Sequence, residues 1–145
     1  SGGMQQRAAI AQTLIVHPKI LLMDEPFGAL DPDTREQLQV FLLELWESMG
    51  LTILFITHSL EEACFVGSRL LALSQYYESG EHTTQHGATI VEDHPLMRVA
   101  HSTEIKQSPQ FQELIASVRA RAFDPGLRQH INDFNLKHVD SFRSN

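Results

Sequence analysis

The chain has 145 residues, 42% of them apolar, with 18 acidic against 11 basic side chains and a formal charge of −7 at pH 7. That is enough apolar material for one domain's core, with no compositional sign of disorder. Scattered cations under a net negative charge argue against a nucleic-acid surface or a polybasic membrane anchor, both of which need clustered lysine and arginine.

From residue 3 to 16, Ala8, Ala9, Ile10, Ala11, Leu14 and Ile15 recur at helical spacing and Pro18 ends the run, which predicts a first helix. Ser1, Gly2 and Gly3 lead straight into it. Two glycines let a backbone approach an anion, and the free N–H groups of a helix start favour phosphate. A flexible loop with a helix cap explains the same triplet, so Ser1, Gly2 and Gly3 alone decide nothing.

Ile20–Met23 is a short, wholly apolar run that reaches Asp24 and Glu25, the pattern of a strand buried on both faces in a parallel sheet. Two carboxylates at the C-terminal end of such a strand lie where ligands of α/β folds bind. In nucleotide hydrolysis one such carboxylate holds a magnesium ion and its neighbour orients and deprotonates water. A turn or cap explains an acidic pair equally well.

Asp31, Pro32 and Asp33 supply an N-cap, a proline at the first helical position and early negative charge. Leu38, Phe41, Leu42, Leu45, Trp46 and Met49 follow at helical spacing, and Gly50 closes the second helix. Thr52–Thr57 reads as a second buried strand, and Ser59 with Glu62 as a capping box opening a third helix. His58 leaves this strand at the rim where Glu25 leaves the other, provided the two are parallel. There an imidazole can donate to a terminal phosphate oxygen, although a histidine after a strand is also a common loop residue.

Leu70–Leu73 predicts a third strand, completing the strand–helix order of a layered α/β sheet with right-handed crossovers. Beyond Ser74, Tyr76, Tyr77, Gly80, the threonine pair, Gly87 and Ala88–Val91 suggest a hairpin with a long polar loop. His82, His86 and His94 invite a metal reading, but glycine and threonine break any helix that would align them, so a solvated loop is expected. Ser108 and Pro109 cap a helix to about Ala122 with Phe111, Leu114, Ile115 and Val118 as its buried stripe, and the tail from Asp124 is polar and uneven. Cys64, the single cysteine, cannot form an internal disulfide, which fits a buried apolar role in a reducing cytosolic setting. No signal peptide and no bilayer-length apolar run is visible.

SGGMQQR, ILLMDEP, GALD and ITHS, in this order and proximity, resemble the ATPase subunits of ABC transporters over residues 1–73. The wording through SGGMQQRAAIAQTLIVHPKILLMDEPFGALD and THSLEEA is similar to importers of the nitrate, sulfonate, taurine and bicarbonate group. The resemblance implies the C-terminal part of a P-loop NTPase domain, α/β, with mostly parallel buried strands and flanking helices, followed by a hairpin and a C-terminal helix. It divides the chain into residues 1–74, the ATPase part, and 75–145, an extension to which no activity is assigned. It further implies that Ser1, Gly2 and Gly3 belong to the signature motif facing an ATP held mainly by the opposite subunit. By the same resemblance Asp24 is the Mg²⁺ ligand, Glu25 the base, Gly28 to Asp31 the loop that communicates across the dimer, and His58 the switch histidine. The implied partners are a second ATPase subunit, transmembrane permease subunits and a substrate-binding protein, with the chain peripheral at the cytoplasmic face of the inner membrane and no nucleic acid involved.

Two departures qualify the resemblance. Met4 stands where the commonest signature has Gln, and the preceding Leu is absent; the chain contains no Gly-rich loop with Lys and Ser/Thr. The opening at Ser1 inside a helix start reads as a fragment, expected to bind ATP weakly and to be inactive and marginally stable by itself. An ABC ATPase outside transport, and a non-catalytic remnant acting as an interaction module, stay open at this point.

Overall fold

The computed structural model describes residues 2–80, 87–96 and 102–142. The described residues form two compact units, one made of 2–66 with 102–105, the other of 67–80, 87–96 and 106–142.

The first unit begins with α1 (Gly2–Leu14), β1 (Ile20–Asp24), α2 (Pro32–Met49), β2 (Thr52–Ile56) and α3 (Leu60–Val66). Strands β1 and β2 pair in parallel, Ile20 opposite Thr52 through Asp24 opposite Ile56, as the long helical crossover between them demands. Asp31 caps α2 by accepting the Thr34 amide at 3.0 Å, and Gly50 ends it in the left-handed conformation, φ 61°, where a side chain would be strained. The pleat sends Leu21 and Met23 to one face, where they pack with Ile10 of α1 and Leu38 and Leu42 of α2 around the fully buried Phe27. Phe27 meets Phe55 of β2 with ring centroids 5.5 Å apart.

The opposite face departs from the expectation of strands covered on both sides. Ile20, Leu22, Leu54 and Ile56 are exposed, Leu22 at 70%. Ile10 of α1 and Leu38 and Leu42 of α2 pack on the Leu21–Met23 side.

The second unit contains β3 (Arg69–Ser74), β4 (Tyr77–Glu78), β5 (Thr89–Pro95), α4 (Pro109–Phe123), β6 (Gln129–His130) and β7 (Asn135–Leu136). Strand β3, expected in the parallel sheet with the first two, instead pairs antiparallel with β5, with a register shift between Ala72 and Leu73. The hairpin is therefore real, but its first arm is β3 and not the tyrosine segment. The tail adds two short parallel pairings, β4 with β6 and β5 with β7. Helix α4 is capped by Ser108, whose hydroxyl accepts the Phe111 amide at 3.3 Å; Phe111, Val118 and Ala122 are its buried residues, with Leu114 and Ile115 half-buried.

His94 lies in β5, not in a solvated loop, and is buried. Its Nδ1 stands 3.2 Å from Glu92 Oε2 and from Asn135 Nδ2, and Glu92, with no exposed surface, also pairs with Arg121. Burying a carboxylate requires such partners. His82 and His86 lie outside the described residues, and among the described residues no three histidine, cysteine or acidic side chains could hold a metal.

Candidate functional site

Parallel strands end on the same side of a sheet, so β1 and β2 deliver Asp24, Glu25 and His58 to one rim. The Glu25 amide donates to the Ile56 carbonyl at 2.9 Å, extending the ladder one residue beyond β1. The backbone then turns left-handed at Glu25, φ 46°, a conformation that costs a non-glycine residue about 1–2 kcal/mol. Glu25 Oε1 accepts two bonds from one residue, the His58 backbone N–H at 2.7 Å and its imidazole Nδ1 at 2.8 Å. The His58 side chain is 81% exposed, leaving Nε2 open to solvent. The two groups expected to face a common phosphate are thus in direct contact, with Oε2 of Glu25 and Nε2 of His58 uncommitted to each other.

Asp24 ends β1 on the exposed face, in the same row as Ile20 and Leu22. A hard cation such as Mg²⁺ binds through one or two carboxylates, water and substrate phosphate rather than an all-protein cage. An exposed carboxylate at the sheet rim fits that pattern as a single ligand. The chain contains no Lys-bearing Gly-rich loop of the kind that cradles β- and γ-phosphates.

Gly2 and Gly3 open α1, and each has a packing reason to lack a side chain. A Cβ on Gly3 would lie 2.5 Å from Thr34 Cγ2, and one on Gly2 would lie 3.2 Å from Leu30 Cδ2. Close approach of the α1 start to Leu30 in the loop before α2 and to Thr34 in the first turn of α2 therefore explains both glycines, a constraint that the anion reading of the sequence did not include. Ser1 lies outside the described residues.

Asp31 acts as the α2 cap, and the Thr34 amide and hydroxyl hold its carboxyl below the usual range. Between Glu25 and Asp31 the chain is a tight loop, with Gly28 N–H donating to Glu25 O at 3.2 Å and Leu30 N–H to Phe27 O at 3.1 Å.

Sequence reasoning missed Arg35. From the first turns of α2 its guanidinium donates back to the Leu30 carbonyl at 2.8 Å and to the Phe27 carbonyl at 3.3 Å, and its Nε lies 3.5 Å from Glu62 Oε1. The capping box is only half formed. Glu62 N–H donates to Ser59 Oγ at 3.3 Å, but the Glu62 carboxylate accepts from the Thr57 hydroxyl at 2.9 Å while Thr57 Oγ1 takes the Ser59 amide at 3.0 Å. No local spacing announces a contact between residues 35 and 62; only an arginine following a helix cap hints at carbonyls to be gathered.

Comparisons with known proteins agree with the motif wording. The family model described as "ABC transporter" matches residues 1–28. The chain is 44% identical over 120 residues to a taurine import ATP-binding protein of Rhizobium johnstonii, covering 83% of this chain and 44% of that protein. It is 45% identical over 115 residues to a nitrate import ATP-binding protein of Synechocystis sp., covering 77% and 41%. Against a taurine import ATP-binding protein of Yersinia pestis the identity is 60% over 74 residues, covering 51% and 29%. The chain spans less than half the length of these relatives.

Proposed function

We propose that this chain, similar over most of its length to the ATP-binding subunits of ABC importers, supplies the water-activating part of an ATP-hydrolysing site that drives uptake of a nitrate-, sulfonate- or taurine-like solute. The observation that supports it best is the Glu25–His58 contact at the rim of a parallel sheet. A carboxylate whose Oε1 is fixed by two donors keeps a defined direction, and Oε2 is left to accept a proton from water as it attacks a terminal phosphate.

His58 serves two partners in this reading. Nδ1–H donates to Glu25, and a second hydrogen on Nε2 would meet phosphate oxygen, which requires the imidazolium form; a neutral ring offers one of the two bonds. Asp24 would hold Mg²⁺, which when bound offsets phosphate charge. Gly2 and Gly3, with Ser1, would present the opening of α1 to nucleotide held mainly by a second ATPase subunit, and Gly28 to Asp31 would face the same partner. The first compact unit carries this machinery. Permease subunits would provide the membrane path, since no described helix is long and apolar enough to span a bilayer, with a substrate-binding protein delivering solute and the chain peripheral at the cytoplasmic face.

Glu25→Gln in the whole subunit tests the reading. Steady-state ATP turnover should fall by about 100-fold or more while nucleotide binding persists. Turnover at the parental rate would remove Glu25 as the base and the proposal with it.

A further inference from the structure

We infer that Arg35 and Glu62 are positioning residues that couple the loop at 27–31 to the turn carrying His58, an inference that rests on the functional reading above. Neither touches the reacting groups. Both act through neighbours that do.

The contacts close a ring. Arg35 holds the loop by its two carbonyls, Phe27 and Leu30, and leans on Glu62 Oε1. The other oxygen of Glu62 holds the Thr57 hydroxyl, which in turn holds the Ser59 amide, so the residues on both sides of His58 are fixed. His58 grips Glu25 Oε1 through its backbone and its ring. From the other direction Gly28 donates to the Glu25 carbonyl, and a Cβ at Gly28 would come within 3.8 Å of Glu25 Oε2. Both arms of the ring end on Glu25, one on the carboxylate oxygen Oε1 and the other on the backbone carbonyl.

Charge and burial make the ring more than a set of neighbours. Glu62 has a side chain only 6% exposed, and a carboxylate so enclosed needs a cation and donors. A complete capping box would have sent this carboxylate to the Ser59 amide. Insertion of the Thr57 hydroxyl between them leaves the second oxygen facing Arg35. A planar guanidinium can serve two carbonyls and a carboxylate at once, which an ammonium on a flexible stem does poorly. A shift of the 27–31 loop, the segment proposed to face the partner subunit, would then be felt at the His58 turn through a single side chain.

The test uses the whole subunit with variants Glu62→Gln, Arg35→Met and Arg35→Lys and the double variant Arg35→Met with Glu62→Leu. Amide hydrogen exchange followed by mass spectrometry reads the coupling. Glu62→Gln is expected to accelerate exchange in the peptide spanning 28–31, and Arg35→Met in that spanning 57–59, each by about tenfold. In the ATPase assay, Arg35→Met should lower kcat by about 10- to 100-fold with KM within about twofold, and Arg35→Lys should recover part of the loss. The double variant, which leaves no unpaired buried charge, should regain thermal stability but not kcat. Exchange changes confined to the substituted element, or a double variant that regains kcat together with stability, would reduce the pair to a structural contact and overturn the inference. If the parent subunit hydrolyses no ATP, the functional reading fails by itself, and the exchange data still decide the coupling.

Discussion

Gly3→Ala offers a prediction whose sign the structure allows to be reversed on purpose. The new Cβ would sit 2.5 Å from Thr34 Cγ2 and an ordinary 3.9 Å from Thr34 Cβ, so one methyl group makes the whole clash. Non-bonded carbons settle at about 3.5–4.0 Å, so the overlap is at least about 1 Å. Overpacking of that kind costs about 1–3 kcal/mol, against a gain of about 0.5–1 kcal/mol for replacing glycine by alanine in a helix. The single variant is therefore expected to be destabilised by up to about 2.5 kcal/mol. In a Thr34→Ser background the methyl is gone while the hydroxyl that with the Thr34 amide holds Asp31 remains. There the same Gly3→Ala change should stabilise by about 0.5–1 kcal/mol. Urea midpoints of the four whole subunits, compared at equal m-value, measure the cycle. A stabilising effect in both backgrounds, or a loss that Thr34→Ser leaves untouched, would refute the packing account of this glycine. ATP turnover adds a second reading: recovery along with stability would assign Gly3 to helix packing, and continued loss would assign it to backbone approach toward phosphate.

Phe27→Ala, which empties a fully buried site beside Phe55, should cost about 3–5 kcal/mol by urea unfolding, and a loss below about 1 kcal/mol would place the core of the first unit elsewhere. Asp93 is held below the usual carboxylate range by Arg69, which donates to both of its oxygens at 2.9 Å. Because its folded pKa is depressed, its contribution is complete above the ordinary carboxylate value and disappears as pH falls through the lower folded value. Asp93→Asn should therefore flatten the acid side of the stability curve, and an unchanged slope would contradict the pairing. Burial raises the Cys64 thiol to about 11, so at pH 8 only about one molecule in a thousand carries thiolate there. A thiol-disulfide dye should label it slowly in the native chain and promptly in urea; equal rates would show an open site.

The elements of the first unit were legible because each has a local cause. The Asp31–Pro32 cap, the Gly50 stop and the apolar run into Asp24 act over a few residues, and all three appear where the sequence puts them. Burial of β1 and β2 on one face only was not legible, since an apolar run states what a strand prefers and not what covers it. Strand β3 is legible as a strand, but its neighbour is not. Leu70 and Ala72 face inward in either arrangement, and the choice of partner lies with β5, whose buried Glu92 and His94 disguise a core strand as a polar loop. Those two residues are tolerable inside because Arg121 and Asn135, distant in sequence, meet them there. The rim pair Glu25 and His58 was legible from two short strands of equal role. The Arg35–Glu62 link, which spans a helix and a strand, was not.

The strained backbone at Glu25 follows from comparing two costs. Along β1 the pleat sends Leu21 and Met23 to the core face and Leu22 and Asp24 to the open face. One more extended residue would aim the Glu25 side chain after Leu21 and Met23, into the layer occupied by Ile10, Leu38 and Leu42. A carboxylate buried there without a cation costs several kcal/mol, whereas the left-handed turn at φ 46° costs about 1–2 kcal/mol. The smaller penalty wins and swings the carboxylate out to the rim. Two donors from His58 wait there, reached through the parallel register that ends β2 opposite β1. The apolar strand that builds the core is thus also what forces its last acidic residue out of the core, so the position of the proposed base is a consequence of packing around Phe27 and not a separate feature added to it.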